Sequence, residues 1–142
     1  MPQTFSTELA GISSLPVVKP AVPAYGGRLR RYRASITMTG QSPTAGNEVV
    51  LAKIPAGQVF AYAVQTTNTT LGATTISIGN AASAATYSAA AAFTTVDTPT
   101  IVGKTAPIVA AAFAAEETIL LTGSAALAGS GLLVIDIYTS QA

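Results

Sequence analysis

Short runs in which apolar and polar residues alternate, separated by turn residues, constrain this chain more than any other feature of its sequence. In GQVFAYAVQTT the residues Phe60, Tyr62 and Val64 recur at every second position, and in TTISIGN the residues Ile76 and Ile78 do the same. A period of two places side chains on one side of an extended strand, whereas an amphipathic helix needs a period of 3.6. The pattern predicts an all-β protein in which Phe60, Tyr62 and Val64 share one face.

Turn chemistry divides these runs into strands. The clearest signals are IPAG at 54–57, GN at 79–80 and AGSG at 128–131, where proline, glycine and asparagine favour tight turns. The alanine-rich stretch 81–92 is also compatible with a short helix or a loop. The predicted strands are 29–39, 48–54, 58–67, 74–79, 84–88, 93–96, 107–113, 117–122 and 131–139.

The last run, GLLVIDIYTS, is apolar on both of its faces. One face carries Leu133, Ile135 and Ile137, and the other carries Leu132, Val134, Asp136 and Tyr138. A strand with two apolar faces is central in its sheet, or its outer face is covered. Together with the turn spacing, this predicts an antiparallel β-sandwich of about eight strands.

The N-terminal segment has a different character. Residues 1–27 contain four prolines and end in Gly26 and Gly27, and SLPVVKPAVPAY is typical of extended or polyproline-like backbone. The expected organisation is therefore an extended arm over 1–27 and one β-sandwich domain over 28–142. Val17, Val18 and Val22 are apolar enough to let the arm pack on its own domain or on a neighbour.

Composition excludes most catalytic chemistry. The chain has no Cys, His or Trp, which removes thiolate and imidazole catalysis and the common transition-metal ligand sets. The GKT at 103–105 lacks the glycine that a phosphate loop needs at position 98, and the adjacent Glu116 and Glu117 of a strand face opposite ways. We expect no enzyme activity and no cofactor or metal.

Low charge points to assembly. Charged residues make up only 9% of the chain, and 28 alanines and 20 threonines supply much of the rest. A free monomer of this size usually carries more charge, so an exposed face covered by another protein is expected.

The N-terminus does not have the pattern of a secretion signal, and the longest apolar stretch, 106–115, is half as long as a membrane-spanning helix needs to be. We therefore expect an unsecreted chain that does not enter a membrane.

Four of the seven basic residues lie within six positions, as Arg28, Arg30, Arg31 and Arg33. If Ala34 and its alternate neighbours face the core, Arg31 and Arg33 project to the opposite side, so the arginines divide between two faces. A nucleic-acid surface would collect them on one face with further lysines, and the net charge is only +1. Arginine's planar fork suits carboxylates of a neighbouring subunit. A solvated strand start that only blocks edge pairing remains the alternative.

Residues 28–142 resemble the small capsid decoration, or cement, proteins of tailed bacteriophages. The resemblance lies in VVLAKIPAGQVFAYAVQ, LGATTISIGNAA and the ending AAEETILLTGSAALAGSGLLVIDIYTS, together with the proline-containing arm. It implies a jelly-roll-like β-sandwich that binds the outside of a capsid, bridges neighbouring capsomers and stabilises the DNA-filled head.

The resemblance also implies where the protein is found and what it contacts. It would be made in the bacterial host cytoplasm and located on the outer capsid surface of the virion. The implied partners are the major capsid protein and further copies of the chain, as a homodimer or homotrimer, with no direct contact to nucleic acid or membrane. The predicted interface residues are Val17, Val18, Lys19, Val22, Tyr25, Arg28, Arg30, Arg31, Tyr32 and Arg33.

A receptor-binding or glycan-binding module of a phage tail or fibre is the alternative function. Sugars usually bind on aromatic platforms, and Tyr25 and Tyr32, which flank the arginines, are the aromatic pair with polar neighbours.

Overall fold

The computed structural model describes residues 28–103 and 111–141, and within these ranges it contains eight β-strands and no helix. The strands are β1 Leu29–Thr37, β2 Val49–Ile54, β3 Gln58–Thr67, β4 Thr75–Gly79, β5 Ser88–Ala92, β6 Thr100–Val102, β7 Glu117–Gly123 and β8 Leu132–Gln141. The prediction of an all-β protein is confirmed.

The strands form two antiparallel four-stranded sheets. The first sheet has the order β1-β8-β3-β6 and the second has the order β2-β7-β4-β5. Strands counted from opposite ends of the chain are paired, namely β1 with β8, β2 with β7, β3 with β6 and β4 with β5. This is the pairing of a jelly-roll-like sandwich, in which a chain folded back on itself is wound into two sheets.

The core lies between the two sheets and is built mainly from aliphatic side chains. Large side chains with no more than 1% exposure come from both sheets, and they are Met38, Ile54, Ile78, Ile119, Leu121, Leu133, Ile135 and Ile137. The IPAG turn joins β2 of the second sheet to β3 of the first, and Gly57 adopts a positive φ of 83° that most residues avoid. The predicted turn is therefore where the chain crosses between sheets.

A β-bulge in β3 changes which side chains face the core. The register against β8 pairs Phe60 with Thr139 and Tyr62 with Tyr138, so Ala61 is an extra residue. Phe60 is consequently buried, while Tyr62 and Val64 lie on the opposite side of the sheet. The expectation that these three residues share one face is wrong, because a bulge reverses the alternation at the point where it occurs.

Two further strands differ from the prediction. The strands expected at 84–88 and 93–96 are replaced by β5, which begins at Ser88, and by β6, which begins at Thr100. The alanine-rich stretch therefore contains a strand, whose pairing with β4 outweighs the weak β-propensity of alanine. The strand expected at 107–113 lies largely outside the described residues, and 111–113 are not in a strand.

The expected N-terminal arm, residues 1–27, also lies outside the described residues. In the described part of the chain, no helix is long and apolar enough to cross a membrane.

Candidate protein interface on the outer face of the first sheet

The first sheet has one face against the core and one face directed away from the second sheet, which we call the outer face. In β8 the side chains of Leu133, Ile135 and Ile137 are buried in the core. Leu132, Val134, Asp136 and Tyr138 alternate with them and belong to the outer face. Because β8 lies between β1 and β3, its prediction as a central strand is confirmed.

Apolar side chains occupy the outer face of β8, β3 and β6. The rings of Tyr62 and Tyr138 stack with their centroids 4.8 Å apart. Val64 pairs with Ile101 of β6 on the neighbouring row. Ile101 is 51% exposed and Leu132 is 39% exposed. Solvent-exposed aliphatic side chains beside a tyrosine stack give this part of the outer face an apolar surface.

An ion pair lies at the β1 side of the same face. Arg33 and Asp136 are cross-strand partners, and the guanidinium donates from Nε to Oδ1 at 2.8 Å and from Nη2 to Oδ2 at 2.7 Å. The hydrogen bonds from Arg33 hold the pKa of Asp136 below its ordinary value. The same hydrogen bonds, with the charge of Asp136, raise the pKa of Arg33. This bidentate geometry keeps a nearly buried carboxylate paired within its own chain.

The other three arginines are exposed at the start of β1. Arg31 is the cross-strand partner of Tyr138 and lies on the outer face with Leu29 and Arg33, whereas Arg30 has the opposite side-chain parity. The expected division of the arginines between two faces agrees with this register. Arg33 was expected to pair with a carboxylate of a neighbouring subunit, but its guanidinium is bound to Asp136 of the same chain. Arg28, Arg30 and Arg31 form no ion pair with any described residue.

Tyr32 does not belong to the outer face. Its ring packs against the core, and its hydroxyl accepts a hydrogen bond of 2.8 Å from Nε2 of Gln58. The Oε1 atom of Gln58 accepts a second hydrogen bond, from the hydroxyl of Thr139. Tyr32 therefore completes a buried polar network instead of offering a flat ring to a sugar.

Five of the predicted interface residues precede β1 and lie outside the described residues. They are Val17, Val18, Lys19, Val22 and Tyr25. Their role as interface residues stays a prediction.

Sequence reasoning did not single out the apolar residues that dominate this surface. The alternation puts Tyr62 and Val64 on the same face as the buried Phe60, and the predicted strands leave out Ile101, so the sequence does not predict these residues together on an outer face. One signal was available in the sequence, since the second apolar face of GLLVIDIYTS indicated either a central strand or a covered outer face.

A second polar cluster lies at one end of the second sheet, where β7 begins and β4 ends. Glu117 accepts hydrogen bonds from the Tyr87 hydroxyl at 2.5 Å and from Nδ2 of Asn80 at 2.6 Å. Burial, followed by the contact with Glu117, raises the pKa of Tyr87 far above its ordinary value. Through these two hydrogen bonds the cluster fastens the loop before β5 to β7.

The outer face combines residue types that are common in protein interfaces. Tyrosine and arginine are enriched in protein interfaces, which combine an apolar centre with a polar rim. Here tyrosines and aliphatic residues form the centre, and Arg31 lies toward the rim formed by β1. Within 28–103 and 111–141, no group of three or more acidic, His or Cys side chains is placed to hold a metal ion.

Chains with the same fold occur in solved bacteriophage capsids. A chain in the "acidic stable capsid structure" of Helicobacter pylori bacteriophage KHP30 aligns over 79% of this chain and 86% of its own, at 12% identity and a TM-score of 0.57. A chain of the cyanophage Pam1 capsid asymmetric unit aligns over 100% of both chains, at 16% identity and a TM-score of 0.55. A chain of the Ralstonia phage GP4 capsid aligns over 82% of this chain and 86% of its own, at 15% identity and a TM-score of 0.60.

These likenesses establish the fold. Because each alignment covers most of both chains, the matched capsid chains are close to this chain in length. No protein-family model and no curated protein matches the sequence.

Proposed function

We propose that this protein is a structural protein of a bacteriophage virion that binds the outside of the capsid and bridges neighbouring capsomers. The observation that carries the proposal is the match, over most of both chains, between this small sandwich and chains of similar length in three phage capsids. A sandwich of this small size suits an accessory role on a lattice built by another protein.

The outer face supports the same proposal. Its apolar centre and arginine-bearing rim provide a surface on which another protein excludes water, while the chain as a whole carries little charge. The sequence predicts an extended backbone for residues 1–27, and such a segment would lengthen the reach of each copy by about 3.3 Å per residue. Many modest contacts repeated by capsid symmetry then give high total avidity.

Deletion of residues 1–24 tests the capsid contact that we assign to the N-terminal segment. The full-length protein is expected to co-sediment saturably with undecorated capsids of its phage, and the deletion variant is expected to bind at least about tenfold more weakly. Circular dichroism should show the same β-spectrum for both proteins, since the deletion removes none of the core residues that the described part of the chain contains.

A matched control keeps the length and charge of the segment. Replacing Val17, Val18 and Val22 together by serine should reproduce most of the loss if apolar burial drives the contact. Unchanged binding by the deletion variant would reject the role of the segment. Absence of binding by the full-length protein would reject the capsid function itself.

A further inference from the structure

Four hydroxyl side chains lie together on the second sheet, on the face directed away from the core. Ser77 of β4 precedes the core residue Ile78, and the cross-strand partner of Ser77 is Thr122 of β7. On the neighbouring row, the Thr75 amide donates a hydrogen bond of 3.0 Å to Oγ of Ser124. Strand pairing thus brings hydroxyls from two segments that are distant in sequence to one place.

These side chains line an open concavity of about 190 Å³, which we call the hydroxyl pocket. Its lining residues are Thr75, Ser77, Ala90, Thr122, Gly123 and Ser124. The volume is sufficient for several water molecules, and therefore for one small ring. Among the described residues, no charged and no aromatic side chain lines the pocket.

Two hydroxyls of the pocket have unused capacity for hydrogen bonds. Oγ1 of Thr122 is buried and has no hydrogen-bond partner among the described residues. Oγ of Ser77 donates to the Thr122 carbonyl at 3.4 Å, which is long for a hydroxyl donor. Buried polar groups are almost always paired, so the Thr122 hydroxyl gains from any partner it can reach. Rotation of Thr122 about χ1 to another staggered rotamer can bring Oγ1 from its buried position into the pocket that this side chain lines.

From these observations we propose that the hydroxyl pocket binds one neutral sugar unit. A sugar hydroxyl donates one hydrogen bond and accepts others, as serine and threonine hydroxyls do, so the two kinds of group satisfy each other. An anionic ligand would need a cationic side chain, and an apolar ligand would leave the hydroxyls unpaired. The inference goes beyond the proposed function and does not depend on it.

The pocket differs from the sugar site that the sequence suggests. That site relied on Tyr32, whose hydroxyl belongs to the buried network with Gln58. The hydroxyl pocket lies on the other sheet and offers hydrogen bonds in place of an aromatic platform. Because stacking on an aromatic ring is missing and the pocket is open, we expect a low affinity for a single unit, with a Kd of about 1 to 10 mM.

An NMR titration of the isotope-labelled full chain tests the site. The neutral probes are the methyl glycosides of glucose, galactose and mannose, and sodium glucuronate is the charged probe. At least one neutral probe is expected to shift the amide resonances of 75–77 and 122–124 saturably, with a Kd of about 1 to 10 mM. Glucuronate should bind no more tightly, because no described cation lines the pocket.

Thr122→Val separates binding from folding, since valine keeps the shape of threonine and removes the hydroxyl. The affinity for the sugar is expected to fall at least about fivefold, the usual effect of one hydrogen bond. The midpoint of urea denaturation should stay the same or rise, because an unpaired buried hydroxyl is removed. Thr118→Val is the matched control, since Thr118 lies on the same face of β7 but outside the pocket, and its affinity should equal that of wild type.

Absence of saturable shifts with all three neutral probes would overturn the proposal, as would an unchanged affinity in Thr122→Val. An equal loss of affinity in Thr118→Val and Thr122→Val would do the same. Tighter binding of glucuronate would refute the neutral character of the site. A lower urea midpoint in Thr122→Val would show that the fold itself uses this hydroxyl, and would remove the observation on which the proposal rests. No capsid is present in these measurements, so their failure would leave the proposed function unaffected.

Discussion

At the scale of single residues, Arg33 and Asp136 show how a charged group is held on an otherwise apolar face. The two residues are 103 positions apart in sequence and become neighbours only through the pairing of β1 with β8. The Asp136 side chain is 12% exposed while the Arg33 side chain is 53% exposed. The guanidinium therefore shields the carboxylate and itself remains largely in water.

This pair should make stability depend on pH. The folded-state pKa of Asp136 is lowered, so the pair stabilises the fold above the ordinary aspartate pKa of 3.8, and the stabilisation is lost as the pH falls through the lowered pKa. Asp136→Asn should therefore reduce the free energy of unfolding by about 1 kcal/mol at pH 7, a charged hydrogen bond discounted for exposure.

Urea denaturation of wild type and Asp136→Asn between pH 7 and pH 2 measures the difference. The pKa of Glu48 is also lowered, mainly by a hydrogen bond from the Gly46 amide. Because Glu48 is present in both proteins, its contribution to the pH dependence cancels in the difference between their free energies of unfolding. A difference that is as large at pH 2 as at pH 7 would show that packing, and not charge, is lost.

At the scale of elements, β3 and β5 show where sequence patterns succeed and fail. The bounds of β3 match the predicted strand at 58–67, but its bulge at Ala61 reverses which side chains face the core. The sequence does not predict this reversal, because no local residue pattern indicates the extra residue. β5 consists of Ser88 and four alanines, and its position depends on pairing with β4 and on the buried rings of Tyr87 and Phe93 at its two ends.

Deleting Ala61 should unfold the protein or destabilise it by about 3 to 5 kcal/mol, the usual cost of losing a buried phenylalanine. Without the bulge, Phe60 and Tyr62 cannot keep opposite faces, and Phe60 loses its stacking on Tyr87, at a centroid distance of 4.6 Å. Thermal unfolding followed by circular dichroism gives the comparison.

Deletion of Thr95, in the exposed loop before β6, is the control for shortening the chain by one residue and should change the melting temperature little. Two deletions with equal cost would contradict a specific role for the bulge.

The face of Arg31 and Arg33 could be predicted, because alternation from Ile36 backward is local information. Their surroundings could not, since Asp136, Tyr138 and Ile101 reach the same face through strand pairing between distant segments. The sandwich class followed from turns and alternation, whereas the strand order depends on contacts that no short stretch encodes.

At the scale of the whole molecule, the pairing of β1 with β8 brings the two ends of the described sandwich together. The Gln141 amide donates to the Arg28 carbonyl at 3.1 Å. Because the two ends of the sandwich are hydrogen-bonded neighbours, a short linker could join them. The stability of the fold then depends more on which strands pair than on their order along the chain.

A circular permutant of residues 28–141 should therefore fold. Joining Gln141 to Arg28 through about four glycine and serine residues, and opening the chain between the exposed Thr94 and Thr95, is expected to keep the free energy of unfolding within about 2 kcal/mol of the parent. Urea denaturation of both proteins is the measurement.

A permutant opened between Ile135 and Asp136, inside β8, should fail to fold. A stable protein from that opening, or an unfolded one from the opening at Thr94, would contradict the view that pairing and not chain order holds the sandwich together.

The meeting of Arg28 and Gln141 also determines how the domain responds to mechanical force. Tension applied between these two ends opens the β1–β8 ladder from its end, one hydrogen bond after another, as a zipper opens. Pressure applied through the outer face is instead shared by four strands at once. We therefore expect the domain to yield to tension between its ends at a lower force than to pressure across its sheets.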